Sequence, residues 1–521
     1  MHDWSLTAYV APVMQRSGWT VHYTSRDVDR PAAGPSWLRD LPDDLMPWLD
    51  EVGLPDGLPF LLSPRFEYDV VLNSYFHRVD LIDAPWNSNA NRARALAGYL
   101  NFLHCARGGK SWRQASEADH LAFHQWRRRD PAGPRVAGGT WSQEVAHVNQ
   151  FFEWAVRQNQ LGAVPIPHRS RRSAPLGTFA GTPRTRAEET VPATYAHDEG
   201  GERIEWLPPA SYRLWRDVGL RGYGADGLPT GRFKGRWSAR NATFTDLMVR
   251  TGMRLSEQSH LTTMEMPVRV GLGGYQRFWL PGTIAKYFSA RWIYAPHSVV
   301  RDLAAYAELD RAEVVEDARA AGRYRRWRRP LVIDDPSRPQ LVRVTGGVAR
   351  RTRNLRELKP MERRRLLVET TDGLEPALFW LGEDGQPLAV STWKSIFADA
   401  NDRCRDQRIA LSCHAHLLRH GFAVVTLEQL QRGHIAALAE LNEAQRGHYT
   451  RIFGDPLDWV RRRLGHRSVL TTAIYLHALQ ELEMETRMAL VPDSWEDPRD
   501  TPLQRIGDDT PPPADAIEAA G

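Results

Sequence analysis

The stretch that decides the fold is Leu464-Gly465-His466-Arg467-Ser468-Val469-Leu470-Thr471-Thr472-Ala473-Ile474-Tyr475, in which a tyrosine follows a histidine by nine residues. Glycine after an apolar helical run is typical of a helix C-terminus, because glycine adopts the left-handed conformation at little cost. Ser468 is a suitable N-cap for a following helix. The stretch therefore predicts two helices joined by a turn, with His466 at the turn and Tyr475 on the second helix.

Three upstream motifs place charged side chains at defined structural positions. In Thr251-Gly252-Met253-Arg254-Leu255-Ser256-Glu257, an arginine follows the glycine that ends a predicted helix. Lys286 lies in a turn between two β-prone runs, residues 276–280 and 291–295. In His416-Leu417-Leu418-Arg419-His420, the first histidine and the arginine lie one helical turn apart and so project from one face.

Each motif also has an ordinary structural interpretation when it is taken alone. Arg254 could simply pair with Glu257 at a helix start, and Lys286 could be a solvated loop lysine. Tyr475 could be a half-buried packing aromatic, as most helical tyrosines are. The interpretation as one site rests on the occurrence of all the motifs, in this order, in one chain.

Together the motifs supply the groups that attack on a phosphodiester needs. Fixed cations and imidazoles can offset the charge of a phosphate without a metal. A phenol is a poor nucleophile at its normal pKa of about 10, so cations or a base must activate it. The sequence has no P-loop pattern and no evident acidic cluster for two-metal chemistry. The candidate catalytic residues are Arg254, Lys286, His416, Arg419, His466 and Tyr475.

The sequence resembles the tyrosine recombinases, the phage and mobile-element integrases and their relatives, over most of its length. The resemblance implies a helical core-binding domain followed by a catalytic domain, with an α+β fold that is mainly α with a small antiparallel β-sheet. It implies that Tyr475 attacks phosphorus to give a covalent 3′-phosphotyrosine, and that Arg254 and Arg419 bind the phosphate. No ATP or metal is then required.

The resemblance also implies roles for the remaining site residues. Lys286 lies on a hairpin that enters the minor groove and donates a proton to the leaving 5′-oxygen, while His466 bonds a non-bridging oxygen. Glu257 orients neighbouring groups. His416, rather than His414 or His420, is in register with the family's His-x-x-Arg motif and serves as base or phosphate ligand. Gly421 stands where the family more often has Thr or Ser.

Composition and periodicity divide the chain of 521 residues, which is too long for one compact core, into several segments. Apolar stripes at helical spacing predict a bundle in the second of them, and its Phe151-Phe152-Glu153-Trp154 resembles the last helix of the core-binding domain. The predicted segments are an N-terminal extension of unreadable role (1–65), a helical core-DNA-binding domain (66–165), a basic linker (166–202), a catalytic domain (203–491) with insertions near 322–375 and 428–455, and a disordered tail (492–521).

The distribution of charge predicts a polyanionic partner. The formal net charge is only +5, but arginines cluster in runs while acidic residues gather elsewhere. Such runs can also be solvated helix faces. We expect double-stranded DNA as the partner, contacted by Lys110, Arg127, Arg128, Arg129, Arg171, Arg172 and Arg291.

Three widely spaced cysteines without a C-x-x-C pattern predict neither a disulfide framework nor a zinc site. No apolar stretch approaches the roughly 20 residues that a membrane span needs. We therefore expect no cofactor, no metal and no membrane contact, and a cytoplasmic, nucleoid-associated location in a prokaryote.

The predicted function is site-specific DNA recombination by a homotetramer on two duplexes, which is a monomer or weak oligomer without DNA and works with accessory recombination proteins. The extension and insertions favour an integrase or transposase of a mobile element over a compact resolvase. Two alternatives remain: a type IB topoisomerase-like enzyme that relaxes DNA with the same chemistry, and a sequence-specific DNA-binding protein without activity.

Overall fold

The computed structural model describes residues 18–25, 51, 53, 55–172, 188–196, 204–231, 233, 235–268, 274–327, 330–338, 341–344, 352–439, 455–468, 471–476 and 478. The side chains of residues 171, 172, 188, 189, 344 and 433–439 lie outside this description. The predicted tail, residues 492–521, lies outside it as well. The chain divides into two compact units, residues 1–202 and 203–521.

The first unit is a helical bundle with two small antiparallel strand pairs. Its core is unusually aromatic: Trp112, Trp141 and Phe151 are almost completely buried, and Tyr99 packs edge-on against Phe152. The helices are α1 (Val70–Ser74), α2 (Val79–Ile82), α3 (Trp86–Ala106), α4 (Glu117–Arg128) and α5 (Gly138–Arg157), and the strands are β1 (Thr20–Tyr23), β2 (Pro59–Leu62), β3 (His168–Arg172) and β4 (Glu188–Pro192).

Segments at both ends of this unit pack on the bundle. In the predicted N-terminal extension, β1 pairs with β2, and Asn101 of α3 bonds both the amide and the carbonyl of Trp19. The described part of the predicted linker contains two paired strands. There β3 pairs with β4, and the carbonyl of Thr194 accepts a hydrogen bond from the indole of Trp141. Local composition did not reveal these strands because their partners lie across a stretch without periodicity.

The second unit carries all the candidate catalytic residues. Its helices are α6 (Pro209–Trp215), α7 (Ser238–Thr251), α8 (Leu255–Ser259), α9 (His297–Tyr306), α10 (Ala312–Ala320), α11 (Pro360–Arg363), α12 (Val390–Asp406), α13 (Ala415–Ala439) and α14 (Pro456–Leu464). Its strands are β5 (Tyr275–Leu280), β6 (Arg291–Pro296), β7 (Leu331–Ile333), β8 (Val342–Val344), β9 (Thr352–Arg353), β10 (Leu366–Thr370) and β11 (Gly373–Pro376). Residues 471–476 are helical as well.

The core of the second unit fixes the helices that bear the site. Phe244 of α7 stacks on Trp393 of α12 at 3.5 Å between ring centroids, and both are fully buried. The antiparallel hairpin β5–β6 buries Phe278 and Ile293 in the same core. These contacts hold the end of α7 and the hairpin turn in fixed positions.

The predicted fold class, mainly α with a small antiparallel sheet, is confirmed. One sheet was not predicted. The region of the predicted insertion at 322–375 contains a five-stranded sheet in the order β11-β10-β7-β8-β9, in which β10 and β7 are parallel. Leu331, Ile333 and Leu366 are buried in a separate small core there. In the second predicted insertion, α13 continues to Ala439.

Among the described residues, no helix combines the length and the apolar character that crossing a bilayer requires.

Candidate active site

Two helix ends with left-handed glycines form the frame of the site. Gly252 follows α7 with φ 66°, and Gly465 follows α14 with φ 67°, as the sequence predicted. A side chain would fit at neither position, since a Cβ on Gly252 would lie 2.3 Å from the ring of Phe422. The turns place Arg254 and His466 immediately after the two helix ends.

Arg419 of α13 connects these two turns. Its Nη1 donates to the carbonyl of Gly252, and its Nη2 donates to the carbonyl of Leu464. The C-terminus of a helix carries partial negative charge, so both helix ends stabilise the buried guanidinium. Burial, reinforced by the charge of Arg254, nevertheless lowers the pKa of Arg419 to about 9. Arg419 therefore determines the relative position of the turns in addition to presenting a charge.

Glu257 is the buried anion at the centre of the site. Its carboxylate is fully inaccessible to solvent and accepts hydrogen bonds from the backbone and the Nη1 of Arg254, each at 2.9 Å. Arg291 of β6 donates to it in a bidentate manner, at 2.7 and 3.2 Å. Burial alone would raise the pKa of Glu257, but Arg291, Arg254 and Arg419 together lower it to about 2. Glu257 is thus ionised and orients two arginines.

Arg291, which the sequence predicts as a DNA contact, lies inside the described structure. The residue is 7% exposed, and besides Glu257 its Nε donates to the carbonyl of Arg463 at 2.8 Å. Its guanidinium is directed inward and connects the hairpin to the end of α14. Arg291 is a positioning residue.

His466 lies between Arg419 and the helix that carries Tyr475. Its Nε2 is 3.3 Å from Nη2 of Arg419 and its Nδ1 is 3.0 Å from the hydroxyl of Thr472. Because a guanidinium can only donate, Nε2 accepts and Nδ1 carries the proton. Burial and the charges of Arg419 and Arg254 lower the pKa of His466 to about 3, so the ring is neutral.

Tyr475 contacts His420, which is not among the candidate catalytic residues. Its hydroxyl is 3.0 Å from Nδ1 of His420, and the residue is 1% exposed. His416 is solvent-exposed and packs edge-on against His420, with 4.4 Å between ring centroids. The sequence signal for His420 was present, since it lies one turn after His416 and directly after Arg419, but family register favoured His416.

Lys286 lies on the exposed tip of the β5–β6 hairpin. The two residues that follow, Tyr287 and Phe288, are aromatic, exposed and left-handed, with φ 60° and 55°. Arg467 donates to the carbonyl of Tyr287 at 3.1 Å and so links this tip to the turn after His466. Partial burial and the charge of Arg419 are the main causes of the lowered pKa of His416, and the positive charge of Lys286 is close enough to contribute as well. The described structure thus brings all six predicted residues to one region.

The predicted DNA contacts in the first unit have diverse surroundings. Lys110 is bonded to the fully buried carboxylate of Asp119, and Arg127 is paired with Glu144. Arg128 donates to the carbonyl of Val136, and Arg129 is exposed. The side chains of Arg171 and Arg172 lie outside the described residues, so their role stays a prediction.

In the part of the chain that the structure describes, no group of three or more His, Cys, Asp or Glu side chains could hold a metal ion. Cys105, Cys404 and Cys413 are free thiols.

The structure of the chain is similar to several solved protein structures. The chain is similar to the XerH site-specific recombinase bound to a palindromic difH substrate, with 13% identity and a TM-score of 0.42 over 78% of this chain and 82% of that one. It is similar to the Tn1549 transposon integrase in complex with a circular intermediate DNA, with 11% identity and a TM-score of 0.42 over 80% and 98%. It is also similar to a lambda integrase dimer bound to a core site, with 10% identity and a TM-score of 0.38 over 78% and 75%.

All three structures are tyrosine recombinases or integrases, the class of protein that the sequence motifs resemble. No known protein family and no curated protein matches the sequence. At TM-scores below 0.5, function has to be inferred from the site itself.

Proposed function

We propose that the protein is a site-specific DNA recombinase that cleaves and rejoins DNA through a 3′-phosphotyrosine at Tyr475. The observation that carries the proposal is the convergence of Arg254, Arg419 and His466 beside one buried phenol. Burial raises the pKa of Tyr475, whereas the charges of Arg419 and Arg254 lower it. Cations that favour a phenolate also offset the charge that develops on a phosphate under attack.

Each group then has a step in the reaction. Arg254 and Arg419 bind the non-bridging oxygens. His466 donates to one of them once its contact with Arg419 gives way and Nε2 takes up a proton, which a nearby phosphate charge favours. Lys286 protonates the 5′-oxygen that leaves. The released 5′-hydroxyl of a partner strand attacks the phosphotyrosine, which retains the energy of the broken bond, so no ATP is consumed.

DNA must gain access to Tyr475 before cleavage. Tyr475 is 1% exposed in the protein as described, and a phosphate approaching from solvent cannot reach its hydroxyl. We infer that DNA binding opens the site on the side of the exposed His416 and Lys286 side chains and leaves Tyr475 beside His420.

The biological setting extends the proposal. We infer a role as integrase or transposase of a mobile element, because the sheet at residues 331–376 and the extension of α13 enlarge the unit that carries the site. The working unit would be a homotetramer on two duplexes, with accessory recombination proteins as further partners.

Covalent trapping tests the proposed function. Full-length protein would be incubated with nicked duplexes tiled from the DNA that flanks its own gene, and denaturing gels would be run beside Tyr475→Phe. We expect a protein–DNA band that disappears in the variant. A band that persists in the variant contradicts the assignment of Tyr475, and relaxation of arbitrary plasmids without a specific site would indicate a topoisomerase-like enzyme.

A further inference from the structure

We propose that His420, rather than His416, accepts the proton of the Tyr475 hydroxyl during attack on DNA. The inference rests on the proposed function and assigns the one step for which that function lacks a definite group. His416 is then available to bind the phosphate.

The geometry of the His420–Tyr475 pair is that of a nucleophile with its base. The phenol oxygen and Nδ1 of His420 are 3.0 Å apart, within the distance at which a proton can be transferred. Tyr475 is 1% exposed and His420 is half-buried, so the contact is shielded from water. Activation of a nucleophile requires a base within hydrogen-bond distance of it, and the His420–Tyr475 contact meets this requirement.

The other two imidazoles of the site are less suited to this role. Both ring nitrogens of His466 are engaged, one by Arg419 and the other by Thr472. Its ring lies parallel to that of Tyr475, with 6.4 Å between centroids and 10° between planes, so it packs against the phenol. His416 is exposed, and its ring packs edge-on against His420.

The protonation state of His420 fits an acceptor. Burial lowers the pKa of His420 to about 4, with further contributions from His416, Arg419 and His414. The ring is therefore neutral at pH 7, and the phenol can donate to Nδ1. Groups facing His420 from other elements are the phenol of Tyr475 and the imidazole of His466, whose own pKa is lowered by His420.

Binding of DNA makes His420 a stronger base. A phosphate dianion-like transition state beside the ring favours the protonated imidazole, since a nearby negative charge raises a histidine pKa. The base is thus weak in the free protein and is strengthened by the substrate that it acts on.

The cleavage step moves one proton from Tyr475 to His420 and one from Lys286 to the leaving oxygen. The Oη–H bond of Tyr475 breaks and an Nδ1–H bond forms on His420, while the phenol oxygen forms a bond to phosphorus. The bond between phosphorus and the 5′-oxygen breaks, and that oxygen takes a proton from Lys286. In rejoining, the protonated His420 returns its proton to the phenolate as Tyr475 leaves.

The test separates the activation of the nucleophile from the protonation of the leaving group. Single-turnover cleavage would be measured on two otherwise identical duplexes, one with a normal scissile phosphate and one with a 5′-bridging phosphorothiolate, whose thiolate leaves without a proton. We expect His420→Ala to cleave both substrates slower by about 100-fold or more, the usual effect of losing a general base. The control Lys286→Ala should recover on the phosphorothiolate.

The pH dependence gives a second readout. The wild-type rate should rise less steeply with pH from 6 to 9 than that of His420→Ala, because the wild-type base, whose pKa is about 4 in the free protein, is already unprotonated over much of this range. In His420→Ala the rate should rise with pH, roughly tenfold per unit, since hydroxide must replace the base. His420→Asn, which can accept a hydrogen bond near the Nδ1 position but cannot take the proton, should behave like the alanine variant.

Three results would overturn the assignment while leaving the proposed function intact. Recovery of the rate in His420→Asn would mean that the residue only positions the phenol. Recovery of His420→Ala on the phosphorothiolate would place it on the leaving-group side. Faster cleavage by His420→Ala would mean that the contact holds Tyr475 in a resting position. If wild type formed no adduct at Tyr475, the proposed function would fail instead.

Discussion

Replacing Glu257 with Gln should destabilise the protein far more than the same change at an exposed ion pair. Glu257 is fully buried and holds both Arg254 and Arg291. Loss of its charge leaves the guanidinium of Arg291, 7% exposed, without its anion.

The magnitude follows from the pKa of the carboxyl. A decrease from 4.5 to about 2 corresponds to roughly 3 kcal/mol of stabilisation at neutral pH, at about 1.4 kcal/mol per unit. Breaking a buried pair by removing one partner typically costs about 3–5 kcal/mol. Both routes give a loss near 3 kcal/mol for Glu257→Gln.

The matched control is Glu313→Gln. Glu313 also bonds an arginine, Arg236, at 2.9 Å, but the two side chains are 63% and 47% exposed. Exposed pairs contribute about 0–1 kcal/mol. Urea unfolding of the full chain, followed by hydrogen exchange of the amides in residues 238–259, would compare the two variants within the same cooperative region.

The stabilisation that Glu257 provides should depend on pH in a defined direction. A carboxyl with a lowered pKa stabilises the fold above its unfolded pKa of 4.5, and the stabilisation is lost as the pH falls through about 2. The difference between wild type and Glu257→Gln should therefore be constant above pH 5 and shrink toward pH 2. Equal destabilisation by Glu257→Gln and Glu313→Gln would refute the reasoning.

Three further substitutions test other parts of the account. Gly252→Ala would place a Cβ 2.3 Å from Phe422 at a left-handed φ of 66°. The control Gly322→Ala has a similar φ of 63°, but its Cβ would have no atom within 4 Å. Thermal unfolding should show that the free energy of unfolding falls by about 2 kcal/mol or more for Gly252→Ala and by about 1 kcal/mol for Gly322→Ala. Asp119→Asn should destabilise the first unit by about 2 kcal/mol, because a fully buried carboxylate that accepts hydrogen bonds from Arg107 and Lys110 loses its charge. Hydrogen exchange of the amides in residues 86–157 would be followed in increasing urea, and an unchanged urea midpoint would contradict this prediction. Arg419→Lys keeps a charge but cannot bond two carbonyls with one planar guanidinium. The rate of single-turnover cleavage should therefore fall about 100-fold or more, while the affinity for DNA in gel-shift assays remains. A cleavage rate within threefold of wild type would be inconsistent with the role of the guanidinium.

The elements next to the motifs were predictable because their signals are local. Helix α14 ends at Leu464, directly before Gly465, as the sequence predicted, and Gly252 and Gly465 are the left-handed residues. Each of these helix ends depends only on the apolar periodicity of the helix and on a glycine, because other residues adopt the left-handed conformation only at a cost in free energy.

The features that sequence reasoning missed depend on contacts between distant elements. The parallel pairing of β10 with β7 joins residues more than thirty positions apart in an arginine-rich region that shows no alternation. Arg291 is buried because Glu257, 34 positions away, lies opposite it. Likewise, the choice between His416 and His420 depends on where the helical residues 471–476 place the phenol, which spacing alone does not give.

The most direct test of the central claim is to identify the amino acid that becomes attached to DNA. Wild-type protein trapped on a nicked duplex would be digested with trypsin and nuclease, and the DNA-linked peptide would be sequenced by mass spectrometry. We expect the peptide Ser468–Arg487, whose single tyrosine is Tyr475, joined to the strand that keeps its labelled 5′ end. Attachment through another residue, or to the strand labelled at its 3′ end, would contradict it.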